Sequence, residues 1–179
     1  MTGRVVALAG PPGSGKSTAG RSVAQTLSLE YVSAGAFFRA EAAERGLSLA
    51  ELSRLAETEA SVDRHLDARM LALATPGRLL DGRICGALCR QRGIPVAYVW
   101  VTASEAVRVA RLAQRDGQAP EACRALTRAR EASERRRYLA YYGIDLDAQQ
   151  PDLTIDSTRE SPAQVASAIV RYLSERAPP

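Results

Sequence analysis

The chain is 179 residues long, 46% hydrophobic and 25% charged, with a net charge of +4. That length suits one domain with a sizeable core, and the composition is ordinary for a soluble protein. No apolar stretch is long enough to span a bilayer and a strand begins within the first few residues, so neither a membrane span nor a secretory leader is expected, and the expected location is the cytoplasm.

In chain order, Val5-Val6-Ala7-Leu8-Ala9 is a continuous apolar run, as expected of a strand buried on both faces of a parallel sheet. It leads into Gly10-Pro11-Pro12-Gly13-Ser14-Gly15-Lys16-Ser17-Thr18, which matches G-x-x-x-x-G-K-[ST]. A helix is expected from about 16 to 28, with Val23, Ala24 and Leu27 on one face. Strand, Gly-rich loop and helix together predict a P-loop. Its backbone N–H groups face nucleotide phosphates, Lys16 reaches the β- and γ-phosphates, and the Ser17 hydroxyl meets Mg²⁺. Lys16 is the only lysine; every other basic residue except His65 is arginine. A compact ammonium on a slender stem fits a loop wrapped around phosphates, where a planar guanidinium does not.

A short second strand is expected at Glu30-Tyr31-Val32-Ser33, then helices near 36–45, 49–59 and 62–75. Ser48 and Glu51 form a capping box for the middle one. Arg78-Leu79-Leu80-Asp81 reads as the third strand and 84–91 as a short helix. Val96 to Val101 reads as the fourth strand, with Trp100 as core. Helices are expected at about 104–115 and 119–141. The fifth strand is Leu153-Thr154-Ile155, and Ser161-Pro162 starts the last helix, with Val165, Ile169 and Leu173 facing inward. Alternating strands and helices predict an α/β fold of three layers around a five-stranded parallel sheet. Ligands in such sheets bind beyond the carboxyl ends of the strands. The P-loop, Ser33-Ala34-Gly35 and Asp81-Gly82-Arg83 all fall there.

Residues 108–137 hold nine arginines against Asp116, Glu121, Glu131 and Glu134. Such a segment suits either a nucleic-acid patch or a small, highly charged phosphate ligand. The three cysteines, Cys85, Cys89 and Cys123, have no metal spacing and read as reduced packing residues. The single histidine, His65, reads as a surface residue, so histidine chemistry is not expected. Tyr138, Tyr141 and Tyr142 read as helical packing. No GTPase motif of the N-K-x-D type is possible, because no second lysine exists. An Arg-rich helical hairpin after the fourth strand occupies the place of a kinase lid, which gathers cations around a transferring phosphoryl group and keeps water out.

Several segments, in order along almost the whole chain, resemble the short, archaeal-type cytidylate kinases of the nucleoside-monophosphate kinase group. They are the P-loop, Tyr31-Val32-Ser33-Ala34-Gly35 with Phe38-Arg39, Asp81-Gly82-Arg83, Arg108/Arg111/Arg115-Asp116, Arg130 to Tyr138 leading to Tyr142-Gly143-Ile144-Asp145, and Asp152 to Thr158. Members of that group often carry Glu where this chain has Ala36 and Asp81. The resemblance implies transfer of the ATP γ-phosphoryl group to CMP or dCMP, with Mg²⁺. Gly10 to Thr18 would hold the ATP phosphates, and Ser17 and Asp81 the metal. Ser33, Gly35, Arg39, Asp81, Gly82 and Arg83 would line the acceptor site. Lys16, Arg83, Arg111, Arg115, Arg130 and Arg137 would be catalytic cations, and Arg128 a further lid candidate. It implies a core of 1–34, 76–107 and 146–179, an acceptor region at 35–75 and a lid at about 108–145. Small nucleotides are the expected partners and a monomer the expected state, without membrane or nucleic acid. A P-loop kinase with another acceptor (AMP, UMP, shikimate or gluconate) and an RNA- or ribosome-associated ATP-binding factor are the alternatives.

Overall fold

Thirteen elements follow one another in the computed structural model, which describes residues 3–175. The C-terminal Ala177-Pro178-Pro179, expected as a frayed end, lies outside them. They are β1 (Val5–Ala9), α1 (Lys16–Thr26), β2 (Glu30–Ser33), α2 (Ala34–Glu44), α3 (Leu49–Thr58), α4 (Ala60–Ala72), β3 (Arg78–Asp81), α5 (Cys85–Gln91), β4 (Val96–Thr102), α6 (Glu105–Asp116), α7 (Pro120–Tyr142), β5 (Leu153–Asp156) and α8 (Pro162–Glu175). The strands form one parallel sheet in the order β2-β3-β1-β4-β5, as the alternation of elements predicts.

β1 sits in the middle of the sheet, which is why all five of its residues are buried and apolar. Its side chains alternate between two cores. Val6 and Leu8 pack with Val23, Ile169 and Leu173 under α1 and α8. Val5, Ala7 and Ala9 pack with Met70, Leu80, Cys89 and Tyr98 on the opposite face. The inward set expected for the last helix is therefore correct. Gly86 lets α5 lie close against that second face: a Cβ there would meet the Tyr98 ring at 2.3 Å. Gly86→Ala therefore overpacks the core at a cost of roughly 1–3 kcal/mol. A melting temperature lower by about 3–10 °C is the expected result of a thermal denaturation run, and no change would contradict this packing.

α2, α3 and α4 gather around their own small core of Ala42, Leu52, Ala56, Val62 and Leu66. The Ser48–Glu51 capping box is present, with the Glu51 N–H donating to Ser48 Oγ and the Ser48 N–H donating to Glu51 Oε2. α1 stops two residues short of the expected end, where Ser28 turns left-handed at φ 53°. α2 starts two residues early because Ser33 caps it, its Oγ accepting from the Ala36 N–H at 3.3 Å. Trp100 corrects the expectation of a core residue: it is half-buried, because it lies beside the edge strand, where its register partner Thr154 is exposed. His65 is exposed and the three cysteines are buried thiols.

The lid expected at 108–145 is tied down at both ends. Near its start, Arg108 is buried; it donates to the Pro12 carbonyl at 3.1 Å and pairs with Glu131 at 2.5 Å. Near its end, α7 is bolted to the α3–α4 layer. Arg137 donates to both oxygens of Asp63, at 2.9 and 2.7 Å, and both residues are buried. Tyr141 donates to the Ala56 carbonyl, and Tyr142 to Asp67. Two of the three tyrosines expected as packing residues, Tyr141 and Tyr142, thus also carry hydrogen bonds.

Candidate active site

Two loops leave the carboxyl ends of neighbouring strands and meet. The first follows β1. Gly13 and Gly15 are left-handed, at φ 78° and 81°, and a Cβ on Gly13 would lie 2.6 Å from the Arg108 carbonyl oxygen. Only glycine allows the loop to curl this tightly against the start of α6, and the loop runs into the N-terminus of α1, where backbone N–H groups without helical partners suit an anion. The second loop, Asp81-Gly82-Arg83, follows β3, the sheet neighbour of β1.

Side chains from both loops converge. Ser17 donates to Asp81 Oδ2 at 2.5 Å, and Tyr31 on β2 donates to the same oxygen at 2.5 Å. Arg83 reaches back to the Gly10 carbonyl at 3.1 Å. Its Nε donates to Glu134 Oε2 at 2.5 Å, while Arg130 donates to Glu134 Oε1 at 2.8 Å. One carboxylate from α7 therefore spaces two guanidiniums above the P-loop. Burial alone would raise Glu134, but Arg83 and Arg130 outweigh it and hold the carboxyl at about 2. Lys16 lies within this field. Burial lowers its ammonium below the ordinary value, Asp81 pulls it back up, and Arg83 and Arg130 push it down again.

Among the described residues no group of three or more His, Cys, Asp or Glu could hold a metal by itself. The pair that does meet, Ser17 Oγ and Asp81 Oδ2, is a set of two hard oxygen donors beside a phosphate-binding loop. That donor set fits Mg²⁺, which takes one or two protein oxygens and completes its shell with phosphates and water.

The remaining expected residues fall into two groups. Ser33, Gly35, Arg39 and Gly82, expected to line the acceptor site, lie at the carboxyl ends of β2 and β3 and on the start of α2. Arg39 is exposed, with no ion-pair partner among the described residues, and its guanidinium lies 3.4 Å from where a Gly35 Cβ would stand. Ser33 Oγ is occupied as a helix cap. The other lid candidates do not join the centre in this conformation. Arg111 braces the loop after β5, donating to Ser157 Oγ at 3.0 Å and to the Ser157 carbonyl at 2.8 Å. Arg115 is exposed and chelated by its neighbour Asp116. Arg128 pairs with Glu105 on the outer surface, and Arg137 is committed to Asp63. A cavity of about 440 Å³, lined by Trp100, Arg108, Glu131 and Arg135, touches the centre only through Pro11 and Arg83.

Two contributors escaped the sequence reading. Glu134 counted there only as charge against the arginines. Its spacing from Arg130, one helical turn, was the available signal. Tyr31 was part of a quoted motif with no role attached, and its contact with Asp81 spans 50 positions, so no local pattern could show it.

A family model described as an AAA domain matches residues 9–124. The cytidylate kinase of Halobacterium salinarum is 39% identical over 180 residues, covering 96% of this chain and 92% of the relative. That of Aeropyrum pernix is 44% identical over 156 residues, 86% and 90% of the two chains. Among solved structures, shikimate kinase from Bacteroides thetaiotaomicron superposes with a TM-score of 0.62 at 16% identity, over 96% of this chain and 97% of that one, a likeness of fold. A P-loop fold with these converging loops, and identity at this level along nearly the whole length, lead to one conclusion: the chain belongs to the cytidylate kinase family.

Proposed function

We propose that the protein transfers the γ-phosphoryl group of ATP to the 5′-phosphate of CMP or dCMP. An oxygen of the acceptor phosphate forms the new bond to phosphorus, and the bond to the β,γ-bridging oxygen breaks. The products are the nucleoside diphosphate and ADP. The observation that carries this reading is the convergence of Lys16, the Ser17–Asp81 pair and the Arg83–Glu134–Arg130 bridge on one point between two loops, in a chain related to cytidylate kinases.

Such a transfer needs little covalent chemistry from the protein; it needs in-line placement and cations where charge spreads. The P-loop amides and Lys16 hold the donor's phosphates. Ser17 and Asp81 would hold Mg²⁺, which when bound neutralises phosphate charge. Arg39 and Arg83 take the acceptor's phosphate, for which the planar guanidinium fork is suited. Arg130, half-exposed and tethered among the described residues by Glu134 alone, is the cation best placed to swing onto the transferring group. The moving lid is then shorter than 108–145: it comprises the end of α6, the connection at Gly117 and the first turns of α7, since the rest is bolted down.

The polyanion reading loses its basis in the same contacts. Seven of the nine arginines in 108–137 pair with carboxylates of this chain, so the segment offers little free positive face to an RNA. No helix of the described residues is long and apolar enough to cross a membrane. Steady-state assays with ATP and Mg²⁺ against CMP, dCMP, UMP, AMP, shikimate and gluconate test the proposal. The expected result is the highest kcat/KM with CMP or dCMP; equal or better turnover of any other acceptor refutes it.

A further inference from the structure

The two carboxylate oxygens of Asp81 meet different surroundings. Oδ2 accepts two hydroxyls, Ser17 from α1 and Tyr31 from β2, each at 2.5 Å. Oδ1 takes no hydrogen bond among the described residues. Asp81 as a whole is only 3% exposed, yet Oδ1 is not one of the buried atoms left without a partner, so that oxygen is open to solvent. The Tyr31 hydroxyl reaches its place through packing that owes nothing to a nucleotide. β2 pairs with β3 so that Tyr31 lies beside Leu79 and Ser33 beside Asp81. The half-buried ring packs against the core that holds Leu8 and Leu79, and the Arg21 guanidinium covers it, 5.2 Å from the ring centre. α1 makes room for it with a glycine. A Cβ on Gly20 would stand 3.1 Å from Tyr31 Cε2 and 2.9 Å from Leu8 Cδ1. Glycine weakens a helix interior, and here the missing side chain is what admits the ring.

Resting on the kinase reading above, we propose that Tyr31 is a positioning residue for the metal: its hydroxyl holds Asp81 so that Oδ1 is presented to the Mg²⁺ that accompanies ATP. The terminal torsion of an aspartate is broad, so a single donor on one oxygen leaves the carboxylate free to turn. Ser17 does not fix it alone, since its own oxygen is the other protein donor to the ion. Tyr31 is anchored in the sheet and the core instead, and it supplies the second restraint. With both hydroxyl hydrogens on Oδ2, Oδ1 and the lone pairs of Ser17 Oγ are left for the ion or its waters.

The test is the affinity for ATP, by isothermal titration calorimetry without an acceptor, for native protein and Tyr31→Phe, each with Mg²⁺ and with EDTA in its place. Y31F deletes one hydroxyl and keeps the ring. Native protein is expected to bind ATP more tightly with Mg²⁺. In Y31F the affinity in EDTA should stay within about twofold of native, while the gain from Mg²⁺ falls about 10-fold, the lower end of what the loss of a partner behind a metal-bound carboxylate costs. In steady-state assays with CMP, the Mg²⁺ concentration that gives half the maximal rate should rise by a similar factor, with kcat largely restored at high Mg²⁺.

A hydroxyl that only stabilises the fold would lower the melting temperature and leave the gain from Mg²⁺ unchanged, which overturns the proposal. An equal loss of ATP affinity with and without the metal overturns it too, as does native protein whose ATP affinity ignores Mg²⁺. If Y31F does not fold, Gly20→Ala is the second arm, since it keeps the hydroxyl and crowds the ring: a several-fold smaller gain from Mg²⁺ supports the proposal, and an unchanged one overturns it. Native protein that phosphorylates no nucleoside monophosphate would sink the kinase reading itself. Native protein that phosphorylates CMP, with a Mg²⁺ dependence that Y31F shares, would sink the role of Tyr31 alone.

Discussion

Replacing Lys16 by arginine is expected to yield a folded protein with about 10²- to 10³-fold lower kcat, the size of effect seen when one preorganised transition-state contact is removed. The charge is conserved in this substitution and the geometry is not. Lys16 sits at the first residue of α1, between left-handed Gly15 and the Ser17–Asp81 pair, with Arg83 and Arg130 close enough to depress its ammonium. A guanidinium is wider and would have to displace one of those neighbours or miss the phosphates. Circular dichroism and the melting temperature should stay near native, because the lysine forms no ion pair that holds the fold among the described residues. The deciding measurement is kcat at saturating CMP and ATP; a value within threefold of native would show that charge alone suffices there.

The second large effect is expected from Glu134→Gln, which strikes stability and turnover together. Glu134 is buried between two guanidiniums, and its carboxyl is held at about 2 against an ordinary value of 4.5. A group whose folded value lies below its unfolded value stabilises the fold above the unfolded value, and that stabilisation is lost as pH falls toward the folded value. Native protein should therefore lose stability from about pH 4.5 downward, and E134Q should lack that component of the acid slope. At neutral pH the variant leaves Arg83 and Arg130 uncompensated. Breaking such a pair costs about 3–5 kcal/mol, or a melting temperature lower by roughly 10 °C. Turnover should fall as well, because the spacing of both cations above the P-loop depends on this one side chain. A variant with native melting and native kcat would show that the bridge is incidental.

Much of this architecture is written in local patterns. β1, the P-loop and α1 form one contiguous stretch, and each part depends on near neighbours: apolar residues for a central strand, glycines for a left-handed loop, a serine beside a lysine for the phosphates and the metal. The capping box at Ser48 and Glu51 and the inward stripe of α8 are legible for the same reason, since a helix repeats every few residues. Even the sheet is foreshadowed, because strands alternating with helices have few other ways to bury both faces.

The arginines mark where that kind of reading ends. Their number in 108–137 was plain, yet each one's task depends on a carboxylate or carbonyl brought from elsewhere. Arg108 meets Glu131 and the P-loop carbonyl of Pro12, Arg111 meets Ser157, Arg137 meets Asp63, and only Arg130 meets the glutamate that also carries Arg83. Trp100 was misjudged for a related reason: its exposure follows from which strand lies at the edge of the sheet. Tyr31 had no marked spacing at all, and Glu134 only its single turn from Arg130; their decisive partners lie roughly 50 positions away. The sequence alone thus determined the phosphate-binding loop and the layered fold, because backbone conformation and hydrophobic period are short-range properties. The tertiary structure decided which charges neutralise one another and which stand without an ion-pair partner among the described residues, because electrostatic pairing acts through space and takes no account of order along the chain.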